Sequence, residues 1–468
     1  MKKVPSSVIL QVVSLALFLF VPFITYYDAS LFSLNDAEGS TAIESDNKES
    51  SDQDVSDRIG FGNVTNLTDN PNDSAYGQVA ASDNNVYVVW QDSTTSDLSN
   101  NNYDIYIKKS ADRGETFAEN NNSGNETTEV QNLSNNPGFS EHPQIAAYKE
   151  KVHVAWTDNT LGNKEIFFAR SIDNGTAFSE TINLSNTTNT SSRNLEITAF
   201  ENNVYVVWLD EDEQGNGAIL FKASNDGGNT FSNVITIAGD LDNNDITLPK
   251  VAAYGENVHI TWNAADNTQE EVGMTDLLYV KSSDQGNTFS PPIKLNNNEE
   301  KVGEAQLAAY KNAVYVVWGS SPYDQVISNL FFTKSVDNGN TFSNATEVKS
   351  ENFVNPSNVE IMVVASNEGN GEQSLPPSFP SSQQFSQQQQ QPHLYITGQV
   401  PLSDENEEIF VAFSSDNGDT FSDISTNLSS NLDISECPSI ATAGDSVYVV
   451  WQDRTPGNNE VLFTKGKA

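Results

Sequence analysis

QIAAYKEKVHVAWTDNTLGNKEIFFARSIDNGTAFSETINLS, residues 144 to 185, contains four short runs rich in Val, Ile, Tyr and Phe, separated by Asn, Gly and Asp. Runs of this length and composition, bounded by turn formers, predict four antiparallel β-strands, A to D in chain order. No helical period is present. The frame Ser-x-Asp-x-Gly-x-Thr-Phe follows strand C at Ser171 to Phe178, with Ala177 in place of Thr, and returns at Ser110 to Phe117, Ser224 to Phe231, Ser282 to Phe289, Ser335 to Phe342 and Ser414 to Phe421.

All six tryptophans, Trp90, Trp156, Trp208, Trp262, Trp318 and Trp451, end a strand B run such as VYVVW. A residue repeated once per unit at a strand end serves the shared core. Apolar side chains on both faces of that strand require a sheet stacked on either side. Stacked four-stranded sheets repeating every 50 to 60 residues or so predict an all-β fold, a β-propeller. Strand B occurs at Val86, Val152, Val204, Val258, Val314, Leu394 and Val447, which gives seven blades.

The last unit stops at Ala468 with strands A to C, whereas Asn63 to Thr68 reads as a strand D standing before the first unit. The ring is expected to close by that N-terminal strand completing the last blade, which also covers two open sheet edges. A Pro- and Gln-rich stretch at residues 367–392 reads as a disordered insertion within the sixth unit.

Lys2 and Lys3 followed by an apolar run predict an export segment over residues 1–27, either cleaved or kept as a membrane anchor through residues 4–25. Residues 28–61 are acidic and Ser-rich and read as a disordered stalk, with the propeller at 62–468. The expected location is therefore extracellular, secreted or tethered to the cell membrane. Twenty-three Lys and Arg against 64 Asp and Glu give a formal charge of −41, which excludes nucleic acid as a partner and favours basic ones. Cys437 is the sole cysteine, so no intrachain disulfide can form and the monomeric ring must hold by packing.

The six repeated boxes resemble the Asp-box, or BNR repeat, of sialidase-like propellers, and the resemblance covers residues 63 to 468. In each box Gly supplies the positive φ of a tight turn, and Asp112, Asp173, Asp226, Asp284, Asp337 and Asp416 accept hydrogen bonds from turn amides. The boxes are scaffold, on the face of the ring away from the D–A and B–C loops. On the opposite, front face stand the Trp-x-Asp residues Asp92, Asp158, Asp210 and Asp453, together with Tyr323, as candidate ligand-binding residues.

The family resemblance implies a substrate carboxylate held by three arginines, a Tyr–Glu nucleophile pair and an Asp acid/base. Of five arginines, only Arg193 and Arg454 belong to the front; with Glu141 and Glu436 they are the candidates for catalysis. Two arginines fall short of the triad, which turns the reading toward binding or scaffolding of a glycan, peptide or protein ligand. The competing reading is a glycoside hydrolase of exo-sialidase type. No organic cofactor is implied, and the front carboxylates would suit calcium as oxygen ligands.

Overall fold

The computed structural model describes residues 60–93, 102–117, 130–241, 248–265, 275–296, 301–321, 329–349, 357–364, 391–403, 406–422 and 426–467. The export segment, the stalk up to residue 59, Tyr323 and nearly all of the 367–392 insertion lie outside them.

Each VYVVW-type run forms the second strand of a four-stranded antiparallel sheet, and seven such sheets make a seven-bladed β-propeller. Blade 1 comprises Ser74–Ser82, Asn85–Ser93, Tyr103–Ser110 and Gln131–Asn132; blade 2 comprises Ser140–Tyr148, Lys151–Asp158, Glu165–Ser171 and Ile182–Asn183. Blades 3 to 6 follow in chain order, beginning at Thr190–Phe200, Lys250–Tyr254, Lys301–Tyr310 and Ser357–Val364. Blade 7 takes Ser435–Ala443, Ser446–Asp453 and Glu460–Lys467 from the C-terminal end. The N-terminal Gly60–Phe61 and Thr65–Asn66 pair with Glu460–Lys467 and complete that sheet, so the ring closes as expected.

Packing between blades explains why both faces of the second strand are apolar. Tyr87 and Val89 of blade 1 share a core cluster with Val152, Val154 and Trp156 of blade 2, whereas Val86, Val88 and Trp90 pack with Tyr448, Val450 and Phe463 of blade 7. All six tryptophans are buried. The strands run two or more residues past Trp, which places the aspartates of the Trp-x-Asp pattern within strands rather than in the loops.

The box turn is a second joint between blades. In blade 5, Ser335 Oγ donates to Asp337 Oδ1 (2.7 Å) and accepts from Gly339 N (2.9 Å); Asp337 also accepts from Thr341 N and Oγ1 (2.9 and 2.8 Å). Those bonds hold the Asp337 carboxylate below the usual range, at about 2, with the Thr341 amide the largest cause. Gly339 has φ +70°, and a Cβ there would lie 1.8 Å from the Tyr279 hydroxyl of the preceding blade. Phe342 then meets the Tyr279 ring edge-on at 4.9 Å. Cations reach across the same seam: Arg170 Nη1 donates to Gly227 O (3.0 Å) and Lys334 Nζ to Asn417 O (2.9 Å), each in the box of the following blade.

Candidate functional site

The first strand of each blade lies nearest the ring axis, and its pairing register shifts near the front. In blade 1, Ala75 opposes Gln91 but Gln78 opposes Val89, so one extra residue bulges from the strand. Equivalent shifts lie between Glu141 and Gln144, Arg193 and Glu196, Val302 and Ala305, Ser357 and Glu360, and Glu436 and Ser439. The bulged residues Tyr76, His142, Asn194 and Cys437 have φ of 53°, 51°, 51° and 53°. The left-handed region costs a residue other than Gly about 1–2 kcal/mol, with Asn tolerated better than Tyr, His or Cys.

What over-determines this backbone is a hydrogen bond to the neighbouring blade. The bulge N–H of His142 donates to Gln91 Oε1 (2.9 Å), that of Cys437 to Gln399 Oε1 (3.2 Å) and that of Tyr76 to Gln452 Oε1 (3.4 Å). Each acceptor directly follows the Trp position of the preceding blade, so the front of the ring is laced as the back is. The side chains gather at the mouth of the axial channel. Tyr76 is 39% exposed and its ring meets His142 edge-on at 4.5 Å.

Carboxylates surround this pair. Burial lowers the pKa of His142, with Lys164 acting in the same direction and Glu141 against it, so the imidazole is neutral at pH 7. Burial, then the charges of Glu436 and Glu304, pushes the Cys437 thiol up to about 12. A thiol so held supplies no thiolate at neutral pH and is no nucleophile.

The residues chosen from sequence as catalytic candidates are placed apart. Arg193 pairs with Glu211 inside blade 3. Arg454 pairs with Glu436 (3.3 Å) and bonds Asn459 Oδ1 (3.1 Å), both within blade 7. Glu141 pairs with Lys164 inside blade 2. Blades 1 and 2 separate the two arginines on the shorter way round the ring, so they do not converge on one carboxylate-sized ligand.

The aspartates proposed for the ligand face turn inward. Asp158 Oδ2 accepts from Trp156 Nε1 (3.2 Å), Ser140 Oγ (2.8 Å) and Asn136 Nδ2 (2.6 Å). Asp92 and Asp453 repeat the arrangement with Trp90, Ser74 and Asn70, and with Trp451, Ser435 and Asn431. Asp210 is bonded by Ser192 Oγ at 2.7 Å. These carboxylates tie the D–A loop to strand B. Burial opposes ionisation of Asp158, yet bonds from Thr160, Ser140 and Asn136 keep its pKa below the ordinary value. Donor hydrogens on Oδ2 are a poor setting for a cation. Among the described residues no group of three or more His, Cys, Asp or Glu is arranged to hold a metal ion.

Sequence reasoning named His142 and Cys437 in passing and missed Tyr76 and Asn194. The signal was present: each stands two residues before a polar–apolar–small run, as in QVAA (78–81) and QIAA (144–147).

No protein-family model and no curated protein matches the sequence. The fold is similar to that of a Trypanosoma rangeli sialidase in complex with sialic acid (13% identity, TM-score 0.47, covering 84% of this chain and 54% of that one). It is also similar to a Hadza microbial sialidase (13%, 0.44, 84% and 66%) and to a mutant α-L-arabinofuranosidase of Fusarium graminearum in complex with an iminosugar inhibitor (14%, 0.45, 69% and 92%). The chain spans about half the length of the Trypanosoma rangeli sialidase.

Proposed function

We propose that the chain is an exported recognition propeller, displayed outside the cell, which takes a glycan, peptide or protein ligand at the front mouth of its axial channel and performs no chemistry on it. One observation carries the reading. Gly or Asn would serve a left-handed bulge at least cost, yet Tyr76, His142 and Cys437 occupy it at the mouth. An exposed Tyr edge beside a neutral imidazole, rimmed by Glu141 and Glu436, offers an aromatic platform with hydrogen-bond acceptors. The export segment and the stalk support display at a cell surface or secretion, with residues 4–25 as the tether if they are retained.

The test screens the full chain on glycan and peptide arrays, beside fluorogenic sialosides and other glycosides. Saturable binding without turnover, lost in Tyr76→Ala, is the expected result. Turnover abolished by Arg193→Ala or Arg454→Ala would replace this reading with a glycoside hydrolase of exo-sialidase type.

A further inference from the structure

Beneath the mouth, the first strands of all seven blades line an axial channel of about 290 Å³. The pairing register defines one level within it, the residue opposite the position before Trp. Gln78, Gln144, Glu196 and Lys250 occupy it in blades 1 to 4, and Gln306, Glu360 and Ser439 in blades 5 to 7. Every blade therefore presents a polar side chain at the same height. In six of the seven blades an apolar residue that packs into the seams between blades directly follows it: Val79, Ile197, Val251, Leu307, Ile361 and Ile440.

The charges at this level do not balance. Lys250 Nζ lies 3.2 Å from Glu196 Oε2 and 2.9 Å from Glu304 Oε1, the latter on the mouth level above. Burial works against the Lys250 charge, but Glu304 and then Glu196 raise its pKa, so the ammonium persists. That single ammonium is shared by two carboxylates, and a third, Glu360, has no cation in contact. Glu360 Oε2 accepts the Ile440 N–H (3.0 Å), while Oε1 has no hydrogen-bond partner among the described residues. The side chains of Gln78 and Gln144 also have none among those residues.

We propose that the axial channel binds an aliphatic ammonium group, carried by a lysine side chain of a peptide or by a small diamine, with Glu360 as its counter-ion and the carboxamides of the ring as further acceptors. The inference rests on the reading of the mouth as a recognition surface and names what that surface admits. An ammonium offers three donors in a compact charge and can use one carboxylate oxygen with neutral amide oxygens. Guanidinium would need both Glu360 oxygens side by side, and one is already taken by a backbone amide. Calcium would need six to eight oxygens, and Lys250 already engages two of the carboxylates. The volume is roughly ten times that of a liquid water molecule, about 30 Å³, so a group of several atoms fits.

The unpaired state explains the titration of Glu360. Burial raises its pKa to about 8; Glu196 and Glu304 add to the shift, and Lys250 with the Ile440 amide opposes it. The Cys437 thiol on blade 7 also faces this carboxyl and is neutral. At pH 7 Glu360 therefore holds a proton most of the time, and an arriving ammonium displaces it. Binding exchanges one cation for another.

Calorimetric titration of the full chain tests this with cadaverine, with acetyl-Gly-Gly-Lys-Gly-Gly-amide and with neutral 1-pentanol, in buffers of differing ionisation enthalpy. The expected result is one saturable site for an amine and none for the alcohol. Affinity should fall at least tenfold in Glu360→Gln, with a proton released at pH 7 and little release at pH 9. Preference for cadaverine assigns the channel to small amines, and preference for the peptide assigns it to a lysine of a longer chain. No saturable amine site, or unchanged affinity in Glu360→Gln, overturns the proposal, since the acidic surface would then account for any uptake. Should the variant not fold, absence of proton release in the wild type overturns it equally. Array binding that depends on Tyr76 without an amine site would remove this inference and leave the recognition reading standing.

Discussion

The back and the front of the ring use the same device to opposite ends. On the back, six box turns repeat both a backbone shape and its side chains, with Ser, Asp and Gly at fixed places in every copy. On the front, the bulge of the first strand repeats the shape alone, and its leading residue changes from Tyr76 to His142, Asn194 and Cys437. Where shape and identity both recur, each side chain is answerable to the scaffold, as the Ser335–Asp337–Thr341 bonds show. Where shape recurs and identity does not, packing has left the choice open, and ligand recognition can set it.

The comparison breaks most visibly at the back. Gly339→Ala must hold a left-handed φ of +70° and drive a methyl into the Tyr279 hydroxyl, which itself bonds His259 Nδ1 at 2.7 Å. Backbone strain and overpacking together predict a loss of about 2–5 kcal/mol in denaturant unfolding. A loss below about 1 kcal/mol would mean that the seam between blades 4 and 5 gives way easily, and that the back is not the rigid half.

Asp158 is the next test, because it stood in the sequence reading as a ligand residue. Asp158→Ala strands the Trp156 indole N–H, Ser140 and Asn136, which predicts a loss of about 1–3 kcal/mol with no change in ligand affinity. Its folded pKa is lowered, so its contribution is present above an ordinary Asp pKa and fades as pH falls below it. Melting with and without calcium, in wild type and in Asp158→Asn with Asp453→Asn, should show no calcium-dependent difference. A rise in melting temperature with calcium that the variant lacks would return these carboxylates to the ligand face.

The axial level predicts the reverse pH dependence. Glu360 has a folded pKa raised to about 8, so the folded state prefers its protonated form. Stability from this group is complete below an ordinary Glu pKa and is lost as pH rises toward 8. Glu360→Gln mimics the protonated acid and should match wild type near pH 5 but exceed it at pH 8. Each pKa unit corresponds to about 1.4 kcal/mol, and water admitted to the channel reduces the full shift to about 1–2 kcal/mol. Parallel stability curves for the two proteins across pH 5–8 would remove the raised pKa.

Most of the scaffold was legible because it is written in repeated letters. VYVVW, the boxes and the displaced strand at Asn63 to Thr68 fix seven blades and the closure at Thr65–Asn66. The site was less legible. Asp92, Asp158 and Asp453 looked available because Trp-x-Asp sits beside loops, but register carries them into strands with Ser and Asn donors two blade edges away in sequence. The axial level was written as QVAA, QIAA, EITA, KVAA, QLAA, EIMV and SIAT, a fixed polar position whose residue changes. Its meaning depends on seven strands meeting at one height, which no single strand reveals.

The smallest stability effect bears most directly on function. His142→Gly removes a side chain from a left-handed position that glycine adopts without strain, at φ 51°. The gain from relieved strain, up to about 1 kcal/mol, is offset by glycine's greater freedom in the unfolded chain and by the lost edge contact with Tyr76. Stability should therefore stay within about 1 kcal/mol of wild type, while binding at the mouth falls at least tenfold. The same change at the back, where Gly is already present, is impossible to make, and that asymmetry is the point of the test. If His142→Gly unfolds the protein, the mouth is scaffold like the boxes; if it leaves both stability and binding intact, the ligand is held elsewhere on the front.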